Sequence, residues 1–372
     1  MRPFKLERYF AAHEFKVEYV LCASDCEGLA MAELLDMASP ETLELWRGLK
    51  LGYTESPGHA GLRAEIAGLY GRVSPEGIVV AAPEEAIFVA MHALLEAGDH
   101  VIAVTPTYQS LTEIARSKGC RVSPWRLEAG PGGWRLDFDR LERLANRRTR
   151  MVVINFPNNP TGAVLSPAEL DAVVDFARER GLILFSDEMY RLLEWDPAVR
   201  RPAVCDLYEK GISLSGLSKA FALPGLRIGW LATQEAALAA RWLAMKDYTT
   251  ICSSAPSEIL AIVALRSRER ILRRNRGILR KNLALAERFF GARRRLFGWI
   301  PPRAGSIAFP RWRGPGSVDR LCRGALDRRG VMLVPGRMFD VGGGHFRIGL
   351  GRKNFGKALA RFGEFLDEPA ET

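Results

Sequence analysis

The sequence lacks long hydrophobic runs. None of its apolar stretches reaches the roughly 18 residues that a membrane span needs. The first residues, Met1 to Lys5, lead into a charged segment and not into the apolar core of a secretory signal. The sequence therefore predicts a cytoplasmic protein with no membrane partner.

Cysteines are few and scattered. Of the six, only Cys22 and Cys26 lie close together, and no second Cys or Cys/His pair accompanies them to complete a zinc site. Disulfide frameworks belong to short secreted chains, so these thiols are predicted to be reduced and structural, without a metal.

Recognisable nucleic-acid motifs are also missing, although the net charge is +10. Basic residues are dense only over 266–280 and 293–295, and the first run carries Ile271, Leu272 and Leu279 between its charges. This spacing is typical of an amphipathic helix whose basic residues lie on the solvent-exposed face. We expect no nucleic-acid partner.

The 372 residues are 48% hydrophobic, enough for a large core. Apolar runs alternate with helix-length segments, which indicates an α/β fold with a mostly parallel sheet. One helix start is well marked, because Ser166, Pro167 and Glu169 form a capping box pattern and Gly181 follows the helix. The predicted strands are Ile78–Ala82, His100–Val104, Met151–Asn155, Leu182–Ser186, Ile212–Ser215 and Ile228–Ala232.

After about residue 254 the pattern changes to long helices followed by short β-rich stretches. We expect three parts: an N-terminal arm over residues 1–45 that joins the smaller domain, a large α/β domain over 46–255, and a smaller α+β domain over 256–372.

Polar groups follow three of the predicted strands. Lys219 comes after one strand, where loss of solvent lowers the pKa of an amine towards the neutral form that makes Schiff bases. Asn159 follows another strand, and Asp187 and Tyr190 follow a third. Ligands of open α/β sheets bind at these strand ends. The set suits a cofactor with a ring nitrogen, a phenolic oxygen and an aldehyde.

Taken together, these motifs resemble the class I/II aminotransferases of fold type I, which depend on pyridoxal 5'-phosphate. The resemblance runs from about residue 52 to residue 352 and rests on order and spacing together. Its parts are Tyr53 with Gly58 and Leu62-Arg63, Pro106-Thr107-Tyr108, Asn159-Pro160-Thr161-Gly162, Asp187 with Tyr190, Ser218-Lys219 with Arg227, and Arg347.

The resemblance implies roles for the residues around the cofactor ring. Lys219 would bind the cofactor as an internal aldimine and then remove the substrate Cα proton. Asp187 would keep the pyridine nitrogen protonated. Tyr190 and Asn159 would hydrogen-bond the phenolic oxygen, and Tyr108 would stack on the ring.

The resemblance places the phosphate at the start of a helix. Arg227 would bind it together with Ser218 or Ser215, and the helix beginning at Pro83, Glu84 and Glu85 would contribute backbone amides. Pro83 departs from the family pattern and removes one N–H donor. Tyr53 would reach the phosphate of a neighbouring subunit, which implies a homodimer with shared sites.

For the substrate, the resemblance implies that Arg347, with Asn159 nearby, binds the α-carboxylate of an L-amino acid. Where relatives usually have a Gly-x-Pro segment, this chain has Asp25 and Glu27. With Glu14, these acids are similar to a branch that acts on arginine and hydroxyarginines, comprising arginine oxidases and capreomycidine synthase-like enzymes. Alternatively, they form a solvated turn.

Several reactions are compatible with these residues. The default is transamination with a 2-oxo acid. Elimination is a second reaction, and the alternative is oxidation, hydroxylation or cyclisation of arginine, in some cases with O2. All of them would share the first proton transfer. A ligand-sensing transcription regulator is the competing class. Such proteins carry an N-terminal DNA-binding domain, whereas the roughly 50 residues before Tyr53 are expected to form the arm.

Overall fold

Fourteen α-helices surround the sheets in the computed structural model, which describes residues 1–368. Several short 3-10 turns connect them. The helices are α1 (Lys5–His13), α2 (Met31–Leu35), α3 (Pro40–Arg47), α4 (Ala60–Ala67), α5 (Pro83–Leu94), α6 (Ser110–Ser117), α7 (Phe138–Leu144), α8 (Pro167–Glu179), α9 (Val204–Leu207), α10 (Ala236–Lys246), α11 (Ala255–Arg266), α12 (Arg268–Ala292), α13 (Val318–Arg329) and α14 (Phe355–Asp367).

Fifteen strands alternate with these helices over the described residues. They are β1 (Tyr19–Val20), β2 (Ile78–Ala81), β3 (His100–Thr105), β4 (Arg121–Gly130), β5 (Gly133–Leu136), β6 (Thr149–Asn155), β7 (Ile183–Asp187), β8 (Gly211–Gly216), β9 (Gly229–Ala232), β10 (Phe297–Gly298), β11 (Ile307–Ala308), β12 (Arg311–Trp312), β13 (Val331–Met332), β14 (Val334–Pro335) and β15 (Phe346–Gly349). All six strands predicted from residues 78–232 are present.

The central sheet has eight strands in the order β2-β9-β8-β7-β6-β3-β4-β5. The five strands from β8 to β4 run parallel, and the pairs at the two ends are antiparallel. Its inner strands are buried on both faces: Val153 packs into one hydrophobic cluster and Val152 into another. This confirms the α/β fold with a mostly parallel sheet, the arrangement of fold type I.

Strands β4 and β5 were not predicted from the sequence. The hairpin lies at the edge of the sheet, and β4 is only partly buried and contains Pro124. An edge strand with solvent on one side needs no continuous apolar run, so its sequence has a weak strand signal.

The C-terminal part combines long helices with short strands, as predicted. A three-stranded sheet has the order β11-β15-β14, and β1 from the N-terminal segment pairs in parallel with β13. The basic run lies on α12, where Ile271, Leu272 and Leu279 face inwards, which confirms the amphipathic prediction. The Ser166 capping box at α8 is also present, with Glu169 N donating to Ser166 Oγ at 3.2 Å.

Five of the six cysteines are buried, and all six are free thiols. No helix within residues 1–368 is both long enough and apolar enough to span a membrane.

Candidate active site

A cavity of about 600 Å³ opens where β6, β7 and β8 end. Its walls come from these strand ends, from the start of α5, and from α1 and the segment around Ser24. It brings together nine of the predicted cofactor residues: Pro83, Glu84, Tyr108, Asn159, Asp187, Tyr190, Ser218, Lys219 and Arg227. A larger cavity of about 840 Å³, between Thr107 and His345, contains none of the nine.

Lys219 lies in the turn after β8, with its amine in the cavity. Its Nζ donates a hydrogen bond to Ser24 Oγ at 2.8 Å. Burial lowers the pKa of the amine, and the nearby Asp25 carboxylate opposes this shift. The neutral, nucleophilic form is therefore more accessible than in an exposed lysine.

Asp187 ends β7 and is 5% exposed. Its Oδ1 accepts a hydrogen bond from the backbone N–H of Met189 at 3.1 Å, while burial raises the pKa of the carboxyl to about 7. A buried carboxyl of this kind gains stability as an anion when a cation is placed beside it. A protonated pyridine nitrogen is such a cation.

Asn159 and Tyr190 line the same cavity as Asp187. The turn that carries Asn159 is fixed because its backbone N–H donates to Asn155 Oδ1 at 2.9 Å. Tyr190 donates from its hydroxyl to the Ser24 carbonyl at 3.1 Å, and burial raises its pKa, so the phenol stays neutral. Both side chains thus supply neutral polar atoms near the lysine.

The start of α5 and Arg227 both line the cavity. Arg227 has a left-handed backbone conformation (φ 55°), and its Nη1 donates to the Pro224 carbonyl at 3.0 Å. Ser218 Oγ is buried and has no hydrogen-bond partner within residues 1–368. A helix start, a guanidinium and a spare hydroxyl together fit a phosphate group.

Glu84 places an acidic side chain near Arg227. It is the second residue of α5, accepts a hydrogen bond from Ser110 Oγ at 3.2 Å, and has its pKa raised to about 7 by burial. Near neutral pH a large fraction of this carboxyl carries a proton, which reduces its repulsion of a bound phosphate.

Arg347, on β15, is 1% exposed. Its Nη1 donates to Asn159 Oδ1 at 3.2 Å and its Nη2 to the Cys22 carbonyl at 3.1 Å. The aromatic rings of Phe10 and Phe339 lie near the guanidinium, and the buried Nε has no partner within residues 1–368. The remaining hydrogen-bonding capacity fits the carboxylate of a small substrate.

Five acidic side chains line the cavity: Glu7, Glu14, Asp25, Glu84 and Asp187. Asp25 already has a cationic partner within the chain, because its Oδ1 lies 3.0 Å from Arg352 Nη2. Glu14 forms no ion pair within residues 1–368, and burial, assisted by Asp25, raises its pKa. A cation entering the cavity would favour the ionised form of Glu14.

Four predicted site residues do not line the cavity of the described chain. Glu27 accepts from the Lys353 backbone N–H at 3.0 Å, and Glu85 accepts from Thr250 Oγ1 at 2.7 Å. The other two are Ser215, which pairs with Trp230 inside the sheet, and Tyr53, which is 92% exposed.

Other cavity residues were missed from the sequence. Glu7 accepts a hydrogen bond from the Tyr108 hydroxyl at 2.7 Å, and Phe10 and Ser24 also line the site. Arg352 pairs with Asp25. The only signal was the three-residue spacing of Glu7 and Phe10, which places them on one side of α1.

Comparison with known proteins agrees with this geometry. The family model described as aminotransferase class I and II matches residues 20–361. Capreomycidine synthase of Streptomyces vinaceus is 31% identical over 380 residues, which is 97% of this chain and 93% of that protein.

Two solved structures are also similar over almost the whole chain. A PLP-dependent aminotransferase from Streptococcus suis 89-1591 has a TM-score of 0.92 and 32% identity, covering 99% of each chain. The PLP-dependent cyclase OrfR has a TM-score of 0.91 and 29% identity, covering 100% of this chain and 98% of that one. The chain belongs to the class I and II aminotransferase family, as an enzyme of the aminotransferase class whose cofactor is pyridoxal 5'-phosphate.

Proposed function

We propose that this member of the class I and II aminotransferase family acts on an L-amino acid with a cationic side chain, arginine or a hydroxyarginine. The observation that carries the proposal is that Glu14 and Asp25 line the same cavity as Lys219. Asp187 would serve the cofactor ring, Glu84 is bonded to Ser110 and Glu7 to the Tyr108 hydroxyl, and an arginine guanidinium would explain the two remaining carboxylates.

The reaction begins with removal of the substrate Cα proton. Bound pyridoxal 5'-phosphate supplies an electron sink for the carbanion that results. Lys219 would attach the cofactor covalently and, once the substrate amine has displaced it, its free amine would take the Cα proton; burial lowers the pKa of that amine. Asp187 would provide the negative charge for the ring nitrogen, and Arg227 and Ser218 would hold the phosphate.

Arg347 orients the substrate through its carboxylate. Its two hydrogen bonds, to Asn159 and the Cys22 carbonyl, hold the guanidinium while the Nε is left available. A planar fork gives two-point contact with a carboxylate, which fixes the Cα–H bond relative to Lys219.

Glu14 and Asp25 select the side chain. Both line the cavity, and Glu14 forms no ion pair within residues 1–368, although the more distant charges of Arg352 and Lys219 favour its ionised form. A guanidinium between them would donate to Glu14 and share Asp25 with Arg352. Neutral side chains would leave the Glu14 carboxyl without this partner, so they are expected to bind less tightly.

Different relatives support two different reactions of the substrate. Similarity to capreomycidine synthase and to the cyclase OrfR favours cyclisation, whereas similarity to the Streptococcus suis aminotransferase favours amino transfer to a 2-oxo acid. Both need the same first proton transfer, and the cavity acids favour an arginine-type substrate in either case.

Purified holoenzyme should be mixed in air with L-arginine, hydroxyarginines, L-citrulline and L-alanine, each with and without a 2-oxo acid. Citrulline is the matched control, because its neutral ureido group replaces the guanidinium at nearly the same size. Keto acid, ammonia, peroxide and cyclised products distinguish the reactions. Turnover of arginine or a hydroxyarginine at least about 10-fold above citrulline is expected; equal turnover would overturn the proposal.

We also propose a cytoplasmic homodimer in which Tyr53 completes the phosphate site of the partner subunit. Tyr53 is 92% exposed, and Tyr248 and Ile251 are exposed hydrophobic residues as well. Light scattering should give twice the mass of the chain, and Tyr53→Phe should weaken cofactor binding. A monomer that binds the cofactor equally well would contradict this assembly.

We further propose that the chain is organised in three parts, with boundaries after residues 45 and 255.

A further inference from the structure

Ser24 connects the reactive lysine to two other parts of the site. Its Oγ lies 2.8 Å from Lys219 Nζ and accepts a hydrogen bond from it. Its carbonyl accepts hydrogen bonds from the Tyr190 hydroxyl at 3.1 Å and from Ser306 Oγ at 2.7 Å. The serine is therefore held through its backbone while its hydroxyl faces the amine.

The segment that carries Ser24 has little room to move away from the lysine. The Gly349 N–H donates to the Leu21 carbonyl at 2.7 Å, and the Glu27 N–H donates to the Gly351 carbonyl at 2.8 Å. A Cβ added to Gly349 would overlap the Ala23 carbonyl. The absence of side chains at these glycines lets the segment pack directly on β15 and the residues after it.

The same segment also holds the substrate anchor. Arg347 Nη2 donates to the Cys22 carbonyl at 3.1 Å, two residues before Ser24. Two residues of chain span at most about 7 Å. The group that would bind the substrate carboxylate and the group that would take the Cα proton are thus positioned by one short, fixed stretch of backbone.

We propose that the Ser24 hydroxyl is a positioning group that holds the free Lys219 amine towards the substrate Cα during proton transfer. This rests on the proposed function. In that transfer the Cα–H bond breaks, the proton joins Nζ, and the electron pair stays on the substrate carbon. A hydroxyl suits both states of the amine, since it can donate to the neutral form and accept from the ammonium form.

Ser24→Ala should have two opposite effects on the Lys219 amine. Hydrogen bonds to charged groups are the stronger ones, so loss of the hydroxyl should lower the pKa of the Lys219 amine further. A lower pKa leaves more of the amine neutral, yet an amine that is no longer aimed at Cα should remove the proton more slowly. A variant that is only less well folded would not combine a lower pKa of Lys219 with slower removal of the proton.

The test compares the wild type, Ser24→Ala and Ser24→Thr as holoenzymes. Exchange of the substrate Cα proton in D2O, followed by NMR, should slow about 10- to 100-fold in Ser24→Ala, and Ser24→Thr should restore most of the rate because it keeps the hydroxyl. A wild-type rate in Ser24→Ala, or an equal loss in both variants, would overturn the proposal.

A second readout needs no substrate. The rate at which pyridoxal 5'-phosphate attaches to the cofactor-free protein depends on the neutral amine, so its pH profile reports the pKa of Lys219. The midpoint should move to lower pH in Ser24→Ala and stay in place in Ser24→Thr. Ser306→Ala is the control, since it removes a partner of Ser24 but none of Lys219, and its midpoint should not move.

The two readouts also separate this inference from the proposed function. If the wild type exchanges the Cα proton of no amino acid, the proposed function fails, and the attachment profile still decides whether Ser24 acts on Lys219. An unmoved midpoint in Ser24→Ala, with normal exchange in the wild type, would overturn the role of Ser24 alone.

Discussion

Arg347 Nη1 lies 3.2 Å from Asn159 Oδ1, which links β15 to the turn that follows β6. Asn159 is fixed in turn by Asn155, whose side-chain amide donates to the Asp187 carbonyl at 3.0 Å. The substrate anchor and the partner of the cofactor ring therefore belong to one buried hydrogen-bonded network, which fixes the distance between them.

Arg347→Lys should raise KM for the amino acid at least about 10-fold, because an ammonium cannot reproduce the two-point contact of the guanidinium. Steady-state kinetics with arginine measures this. Agmatine, which is arginine without its carboxylate, is the matched control, and its binding should change little. An unchanged KM for arginine would show that Arg347 does not bind the carboxylate.

Lys219→Ala should abolish the covalent attachment of the cofactor and slow Cα proton exchange by about 10²-fold or more. Borohydride reduction of the wild type, followed by peptide mapping, should place the cofactor on Lys219. Lys246 provides an internal comparison, because it is also buried and has a lowered pKa, but its amine donates to the Ser56 and Ile251 carbonyls. Label on Lys246 would contradict the assignment.

Asp187→Asn should retain the cofactor but slow Cα proton exchange about 10²- to 10³-fold, since a neutral amide cannot stabilise a protonated ring nitrogen. Cofactor content by absorbance and exchange by NMR test the two halves separately. Exchange at the wild-type rate would show that the charge of Asp187 is not used.

The cofactor-free protein should become less stable as the pH rises through about 7. Burial raises the pKa of both Asp187 and Glu84 to about 7, so the folded state binds more protons than the unfolded state between about pH 4 and 7. The two carboxyls contribute fully to the free energy of unfolding below their unfolded-state pKa values. This contribution is lost as the pH rises and the carboxyls ionise in the folded protein.

The matched control for this pH dependence is the double variant Asp187→Asn with Glu84→Gln, which has no carboxyl to ionise at either position. Thermal unfolding from pH 5 to 8 should show a smaller fall in Tm for this variant than for the wild type. Parallel curves would show that the two carboxyls do not titrate near neutral pH.

The central site residues could be predicted because they follow buried parallel strands. Lys219, Asp187 and Asn159 come after apolar runs that are recognisable in the sequence, and the carboxyl ends of such strands meet at one edge of the sheet. Local sequence therefore placed them together without knowledge of the rest of the chain.

The N-terminal wall could not be predicted in the same way. Glu7 and Ser24 reach the cavity only because α1 and the segment after it pack against residues about 100 to 330 positions away, as in the contacts of Glu7 with Tyr108 and of Cys22 with Arg347. Glu27 is only two residues from Asp25, yet it caps the Lys353 backbone outside the cavity. Composition alone cannot show that the Asp25 side chain lies in the cavity and the Glu27 side chain outside it.

The most direct measurement of the central claim is the spectral titration of holoenzyme with L-arginine and L-citrulline in the wild type, Glu14→Gln and Glu27→Gln. Removing the Glu14 charge should weaken arginine binding by about 1.5 to 3 kcal/mol, or about 10- to 150-fold, with less than about a 3-fold change for citrulline. Glu27→Gln should match the wild type, because Glu27 lies outside the cavity. Equal weakening of arginine and citrulline in Glu14→Gln, or no preference for arginine in the wild type, would contradict a site built for a cationic side chain.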